Sequence, residues 1–530
     1  MSGDLVLSID CGTQSVRALA FDASGRLIAK RKVDYEPYFS ARPGWAEQDP
    51  ELWWRALVSA CRGLTADLPG GAGRFAAIAV TTQRDSMVCL DADARPLRPA
   101  ILWLDSRKAP APYRPSPPVR LALSAIGMGE ALAKTQESGA CNWIRANEPS
   151  LWDRTRAFVQ VSGFLNARLT GDFVDSTASQ IGHMPFDYRR QEWAGRGHMN
   201  SRMFPVEAGK LSRLSPAGAE LGRLVASAAA ETGLPAGLPV IAAGSDKGCE
   251  TIGAGVVDET VASLSFGTTA TVQTTSRRYL EPLAFMPAYP AAIPGRYNPE
   301  VEIFRGYWMI AWFKKQFAYE EVAQAQSRGI AAEAMLDELL VATPPGGHGL
   351  VMQPYWTAGL KSPSAKGALI GFGDVHERAH LYRAIIEGLA YGLKEGLESI
   401  ERVSGKRVRA LRVSGGASQS DSICQISADV FNLPLERGDT FEASGLGAAM
   451  CAAAGLGWYP GVAEASAAMS STLSPSSTLS PSTARAFEPD PANAALYAEL
   501  YRRVYKKMYK ALSPLYESIR DITGYPERPV

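Results

Sequence analysis

Apolar runs and small polar breaks alternate from the start of the chain. Leu5-Val6-Leu7-Ser8-Ile9-Asp10 reads as a buried strand, Cys11-Gly12-Thr13-Gln14-Ser15 as a turn, and Val16-Arg17-Ala18-Leu19-Ala20-Phe21 as a second strand. Asp22-Ala23-Ser24-Gly25 supplies another tight turn before a third strand over 26–30, so the opening is a meander and not the strand-then-helix of a dinucleotide fold. The Asp49-Pro50 cap signal starts a helix over 51–64. Residues 75–80 form a short apolar strand, and 151–169 have helical spacing that stops at Thr170-Gly171. Such alternation predicts an α/β architecture.

A second core is expected from residue 258 onward. There Val261-Ala262-Ser263-Leu264-Ser265 leads into Phe266-Gly267-Thr268-Thr269-Ala270-Thr271-Val272-Gln273, a strand, Gly-Thr turn and strand that echo the turn at Gly12-Thr13. A long helix over 378–401, a strand over 408–414 running into Gly415-Gly416, and a last helix over 491–512 complete the pattern. Between them Ser-Thr-Leu-Ser-Pro-Ser occurs twice in succession over 471–482, a composition that predicts a surface loop.

At 530 residues the chain exceeds what one core usually serves. Two domains follow, expected at 1–257 and 258–530, with a site between them. A net charge of +1 gives no field for steering polyanions, which argues against nucleic acid as partner. The seven cysteines are scattered with no CxxC spacing, and the first residues lack the basic start and length of a signal peptide, so a cytoplasmic protein with reduced thiols is expected. No apolar stretch is long enough to cross a bilayer, and five histidines that form no cluster with the cysteines argue against a transition-metal site. A homodimer is left open.

Several strand ends carry groups suited to chemistry. Turns such as Gly12-Thr13-Gln14 and Gly267-Thr268-Thr269 can aim backbone N–H groups and hydroxyls at phosphate, since glycine permits close approach; singly, each is also an ordinary hairpin. Two facing turns would bracket a triphosphate. Arg17 can point back toward the phosphates or be a plain surface arginine. Asp10 can hold Mg²⁺ through water or cap its turn. Asp246 follows the apolar strand 240–243 and a Gly break, as a reacting carboxylate or as a helix N-cap. Gln83, Arg84 and Asp85 offer amide, cation and carboxylate together, the groups that grip sugar hydroxyls, with a solvated turn as the alternative. Gly415, Gly416 and Ser420 lie in a Gly-rich turn that can pass under adenine or ribose.

Taken in order, these segments resemble the FGGY family of carbohydrate kinases. The resemblance rests on Ile9-Asp10-Cys11-Gly12-Thr13-Gln14-Ser15, Pro43-Gly44-Trp45, Trp103-Leu104-Asp105-Ser106-Arg107, Gly244-Ser245-Asp246, Ser265-Phe266-Gly267-Thr268-Thr269, Ser414-Gly415-Gly416-Ala417 and Gly447-Ala448-Ala449, and covers nearly the whole chain. It implies two ribonuclease-H-like domains of the actin and hexokinase type around a catalytic cleft, and transfer of phosphate from ATP to a hydroxyl of a small sugar or polyol. By the same resemblance Asp246 is the general base, and Asp10, with Asp246, places Mg²⁺. Gly12, Thr13, Gln14, Arg17, Gly267, Thr268 and Thr269 hold ATP phosphates, Gly415, Gly416 and Ser420 lie by the adenosine, and Gln83, Arg84, Asp85 and Asp246 meet the sugar.

Three departures stand out. Lys247 replaces the usual Gln or Asn, Ala140-Cys141-Asn142 precedes Trp143 where Lys is frequent, and the Gly306-to-Trp312 spacing is one residue longer than usual, with aromatics near the expected adenine pocket. Two competing readings are a chaperone or filament protein on the same fold, which would lack Arg84-Asp85 beside the base, and a sugar sensor without turnover.

Overall fold

The apolar runs pair into two six-stranded mixed sheets, one in each half of the chain. The computed structural model describes residues 3–125, 129–283, 286–357, 364–470 and 484–525. In the first half β1 (Leu5–Cys11), β2 (Ser15–Asp22) and β3 (Leu27–Asp34) form the expected meander, followed by α1 (Pro50–Asp67) capped by the Asp49 side chain. Then come β4 (Phe75–Thr82), α2 (Val161–Thr170), β5 (Glu220–Arg223) and β6 (Pro239–Ala242). The strand order is β5-β6-β4-β1-β2-β3, with β1, β4 and β6 parallel. Helix α3 (Asp246–Gly253) leaves this sheet.

The second half repeats the plan. A meander of β7 (Val261–Phe266), β8 (Ala270–Gln273) and β9 (Glu300–Ile303) leads to α4 (Arg378–Ser404) and to β10 (Ala410–Ser414), parallel to β7. Next are α5 (Asp421–Phe431), β11 (Leu435–Arg437), α6 (Ala443–Gly455), β12 (Arg485–Phe487), α7 (Pro491–Leu500) and α8 (Lys506–Thr523). The order is β9-β8-β7-β10-β11-β12. Both sheets thus carry an antiparallel triplet, parallel central strands and one antiparallel edge, which gives the weak sequence repeat its structural form.

Strand alternation sorts residues into layers. Leu5, Leu7 and Ile9 of β1 pack with Trp53, Leu57 and Phe164 of α1 and α2 on the outer face. Val6 joins Leu19 and Phe21 on the inner face, under Leu446, Ala449 and Met450 of α6. Ser8 Oγ there donates to Gly445 O at 2.7 Å. In the second sheet Ala262, Leu264 and Phe266 face a core with α4 and α5, while Ser265 faces α3. Helices α3 and α6 therefore lie between the sheets, and they touch backbone to backbone. A Cβ on Gly447 would sit 1.9 Å from Cys249 O, and one on Gly253 2.0 Å from Ala443 O, so only glycine fits at this crossing.

Two sequence expectations need correction. The helix expected over 151–169 is broken: Pro149–Arg154 and α2 flank a strand, Ala157–Gln160, that pairs antiparallel with Met87–Leu90 in a small separate sheet. The last helix does not run straight through 491–512. A π-helical turn at Tyr501–Tyr505 separates α7 from α8 and lets both tyrosine rings meet Tyr391, at 5.8 and 5.3 Å between centroids. The repeated 471–482 insert lies outside the described residues.

Candidate active site

The candidate residues collect at the carboxyl ends of the parallel strands, where open α/β sheets place ligands. After β1 the turn is closed by Gly12 N donating to Ser15 O at 3.0 Å. After β4 the chain turns through Gln83, Arg84 and Asp85, with Asp85 at φ 55° and its N–H donated to Gln160 Oε1 at 3.1 Å. After β6 it enters α3 at Asp246, and between β7 and β8 it turns at Gly267, Thr268 and Thr269. A cavity of about 1180 Å³ joins these points, lined by Gly12, Thr13, Gln83, Arg84, Asp85, Asp246 and the 267–269 turn, from both halves of the chain.

Asp246 is the first residue of α3, but Ser245 is the cap, its Oγ accepting from Gly248 N at 3.3 Å. The N-cap alternative for Asp246 is thereby excluded. Its Oδ1 accepts from Lys247 N at 2.8 Å and stands 3.8 Å from Arg84 Nε. Burial holds its carboxyl above the usual carboxylate range, and the charges of Arg84 and Lys247 pull it back. Lys247 Nζ reaches Glu250 at 2.7 Å and Ser265 Oγ at 2.6 Å. Glu250 also accepts from Ser265 and Ser414, at 2.9 and 2.6 Å, so the start of α3 is tied to β7 and β10 of the other sheet.

Arg84 crosses the cavity to Glu300 on β9 at 3.0 Å and lies over the Tyr289 ring. Asp85 accepts from the His183 backbone N–H at 2.8 Å and pairs with its Nδ1 at 2.6 Å. Both residues are anchored, which excludes the solvated-turn alternative. Thr13 Oγ1 donates to Gln83 Oε1 at 2.7 Å and accepts from Trp103 Nε1 at 3.2 Å. Gln83 Nε2 is buried with no hydrogen-bond partner among the described residues.

Strand register sets Asp10 opposite Arg17, and the two form an ion pair at 2.9 Å. Asp10 therefore does not cap the turn. Arg17 also lies 3.6 Å from Glu442 and is no plain surface arginine. Burial pushes the Asp10 carboxyl up to about 6, with Arg17 opposing and the charges of Glu442 and Asp246 adding to the rise. Gly415, φ 91°, approaches Phe266 so closely that a Cβ would lie 2.8 Å from its carbonyl carbon, beside the second Gly-Thr turn. A Cβ on Gly416 would meet only open space. Ser420 caps α5 and donates to Asp337 at 2.5 Å. Asp10, Gln14, Arg17, Gly415, Gly416 and Ser420 do not line the cavity.

At the departures, Ala140 and Trp143 form part of the cavity wall. Tyr307 is core, its ring 4.4 Å from Phe266 between centroids, and the helix Trp308–Phe317 starts right behind the 267–269 turn. Sequence reasoning missed Glu300, Glu302, His183, Tyr289 and Trp103. The one available signal was the alternation Glu300-Val301-Glu302, which puts two carboxylates on one face of a strand. The oxygen donors Asp10 and Asp246, with no cluster of three or more metal-ligating side chains among the described residues, fit a Mg²⁺ ion that keeps waters and phosphate oxygens. The unpartnered Gln83 amide and the two glycine turns fit a polyhydroxyl ligand beside phosphates.

Residues 5–253 match the N-terminal domain of the FGGY family of carbohydrate kinases, and residues 262–456 match its C-terminal domain. Curated relatives include a xylulose kinase of Lactococcus lactis, 28% identical over 86% of this chain and 88% of its own. A glycerol kinase of Rhodospirillum centenum is 29% identical over 87% and 91%. Among solved structures, a xylulose kinase from Rhodospirillum rubrum superimposes with a TM-score of 0.77 at 26% identity, covering 97% of this chain and all of its own. With two matched domains, two mixed sheets and a cavity between them, the chain belongs to the FGGY family of carbohydrate kinases.

Proposed function

We propose that this carbohydrate kinase transfers the γ-phosphoryl group of ATP to a hydroxyl of a small ketose, such as a pentulose, or a related polyol, with Asp246 as general base. The observation that carries the reading is the place of Asp246: at a helix start it does not cap, beside Arg84, inside a cavity that the 267–269 turn also lines. Asp10 and Asp246 would hold Mg²⁺, which when bound would neutralise charge on the phosphoryl group that ATP supplies.

The chain's own groups do the rest. Gln83, Arg84 and Asp85 hold the sugar hydroxyls, and Asp246 accepts the proton of the attacking one. Gly12, Thr13 and Gln14, with Arg17 behind them, face Gly267, Thr268 and Thr269 across the phosphates, and Gly415, Gly416 and Ser420 flank the adenosine. Residues 1–257 then carry the sugar and the base, residues 258–530 the nucleotide, and closure of the cleft excludes water.

Purified protein assayed with Mg²⁺ and ATP against ketoses and polyols, with coupled detection of ADP, tests the activity. Asp246→Asn keeps size but cannot take the proton, so kcat should fall by about 10²- to 10⁴-fold with binding of ATP and sugar intact. A near-normal kcat in that variant would make Asp246 a structural residue and Asp10 the next candidate base.

A further inference from the structure

Charges around the base do not cancel. Arg84 is matched by Glu300 at 3.0 Å, Lys247 by Glu250 at 2.7 Å, and Asp85 by His183. Both cations that flank Asp246 are thus already paired with protein carboxylates. Glu302 lies two residues beyond Glu300 on β9, on the same face of the strand, and lines the cavity half-buried. Its side chain makes no hydrogen bond or ion pair among the described residues. Asp246 and Glu302 therefore leave this end of the cavity with an excess of negative charge.

We infer that Glu302 is a specificity determinant, set by the second domain against the sugar held by the first, and that it makes the enzyme select uncharged ketoses and polyols over sugar acids of the same length. The inference rests on the kinase reading and narrows it. A sugar hydroxyl can donate to the Glu302 carboxylate, which lines the same cavity as Gln83. A substrate carboxylate beside Glu302 would meet a like charge, and the two cations at Asp246 are already paired with Glu300 and Glu250. At a few ångströms in a half-buried cleft that repulsion changes binding by about tenfold or more.

Burial and the charge of Glu300 raise the Glu302 carboxyl to about 7, while Arg84 and Lys247 lower it; Asp85, Asp246 and Tyr289 face the same space. Glu302 is then charged above neutrality and largely neutral near pH 6.

The test compares kcat/KM for neutral ketoses and polyols with that for the aldonate of equal carbon number, in the full-length enzyme and in Glu302→Gln. At about pH 8.5 the neutral compounds should lead by about tenfold or more. Glu302→Gln should shrink that ratio by about tenfold, and Glu302→Asp, which keeps the charge, should retain most of it. Lowering the pH to about 6 should shrink the ratio more in the unaltered enzyme than in Glu302→Gln. Protonation of Asp246 also relieves the repulsion but does so in both proteins, so the difference between the unaltered enzyme and Glu302→Gln reads Glu302 alone. If Glu302→Gln does not fold, Glu302→Ser takes its place in the same comparison. An aldonate preference, or a ratio indifferent to both substitution and pH, would overturn the inference. Absence of any ATP-dependent turnover would overturn the kinase reading instead, and equilibrium binding of the same pairs would then judge the charge selection alone.

Discussion

Asp246, the proposed base, lies beside two cations and is tuned by both. Lys247 and Arg84 hold the Asp246 carboxyl down against the effect of burial. Removing the ammonium removes one of these opposing charges, so the carboxyl pKa rises and the ionised base is lost at a higher pH. Lys247→Gln should therefore move the acid limb of the kcat/KM profile to higher pH. Its activity near pH 6 should fall more than its activity near pH 8.5, by several-fold. Equal loss at both pH values would assign Lys247 to structure alone. Some uniform loss of stability is also expected, because Glu250, 6% exposed and bonded to Ser265 and Ser414, would keep its charge without the lysine.

Among the elements, the crossing of α3 and α6 is the least forgiving. Gly447 approaches Cys249 O and Gly253 approaches Ala443 O with no room for a methyl group against backbone atoms. Gly447→Ala should force the helices apart and lower stability by about 1–3 kcal/mol, seen as a lower denaturation midpoint. An unchanged midpoint would show that the crossing can relax. The glycines near this crossing were visible in the sequence as a small-residue run, and the meanders were visible because fully buried strands carry unbroken apolar runs between Gly and Asp turns. The strand Ala157–Gln160 was not, since four residues inside a run of helical period are decided by pairing with Met87–Leu90. The site divides in the same way. Asp246 and the Gly-Thr turns sit at strand breaks that local pattern reveals, whereas Glu300, Glu302 and His183 reach the cavity from edge strands and loops whose position only the tertiary fold decides.

At the scale of the whole molecule, the two halves share more than a cleft. Arg84 with Glu300, Lys247 and Glu250 with Ser265 and Ser414, and Arg17 with Glu442 all cross from one half of the sequence to the other. The boundary proposed at 257 and 258 is therefore a boundary of chain and not of packing. Expressed alone, 1–257 would leave the inner face of its sheet bare at Val6, Leu19, Phe21 and Ile241. It should be recovered soluble only when 258–530 is produced with it, as read by sedimentation of the two fragments. A monomeric, cooperatively melting 1–257 would contradict this. The same helix sets a schedule for synthesis. The first sheet is complete once β6 has left the ribosome, yet its inner face stays wet until α6 emerges, long after the second sheet has begun to form. Nascent chains of this protein carry an uncovered apolar surface from residue 242 until residue 455 is made, and a pause or truncation in that interval strands them in the state that chaperones recognise.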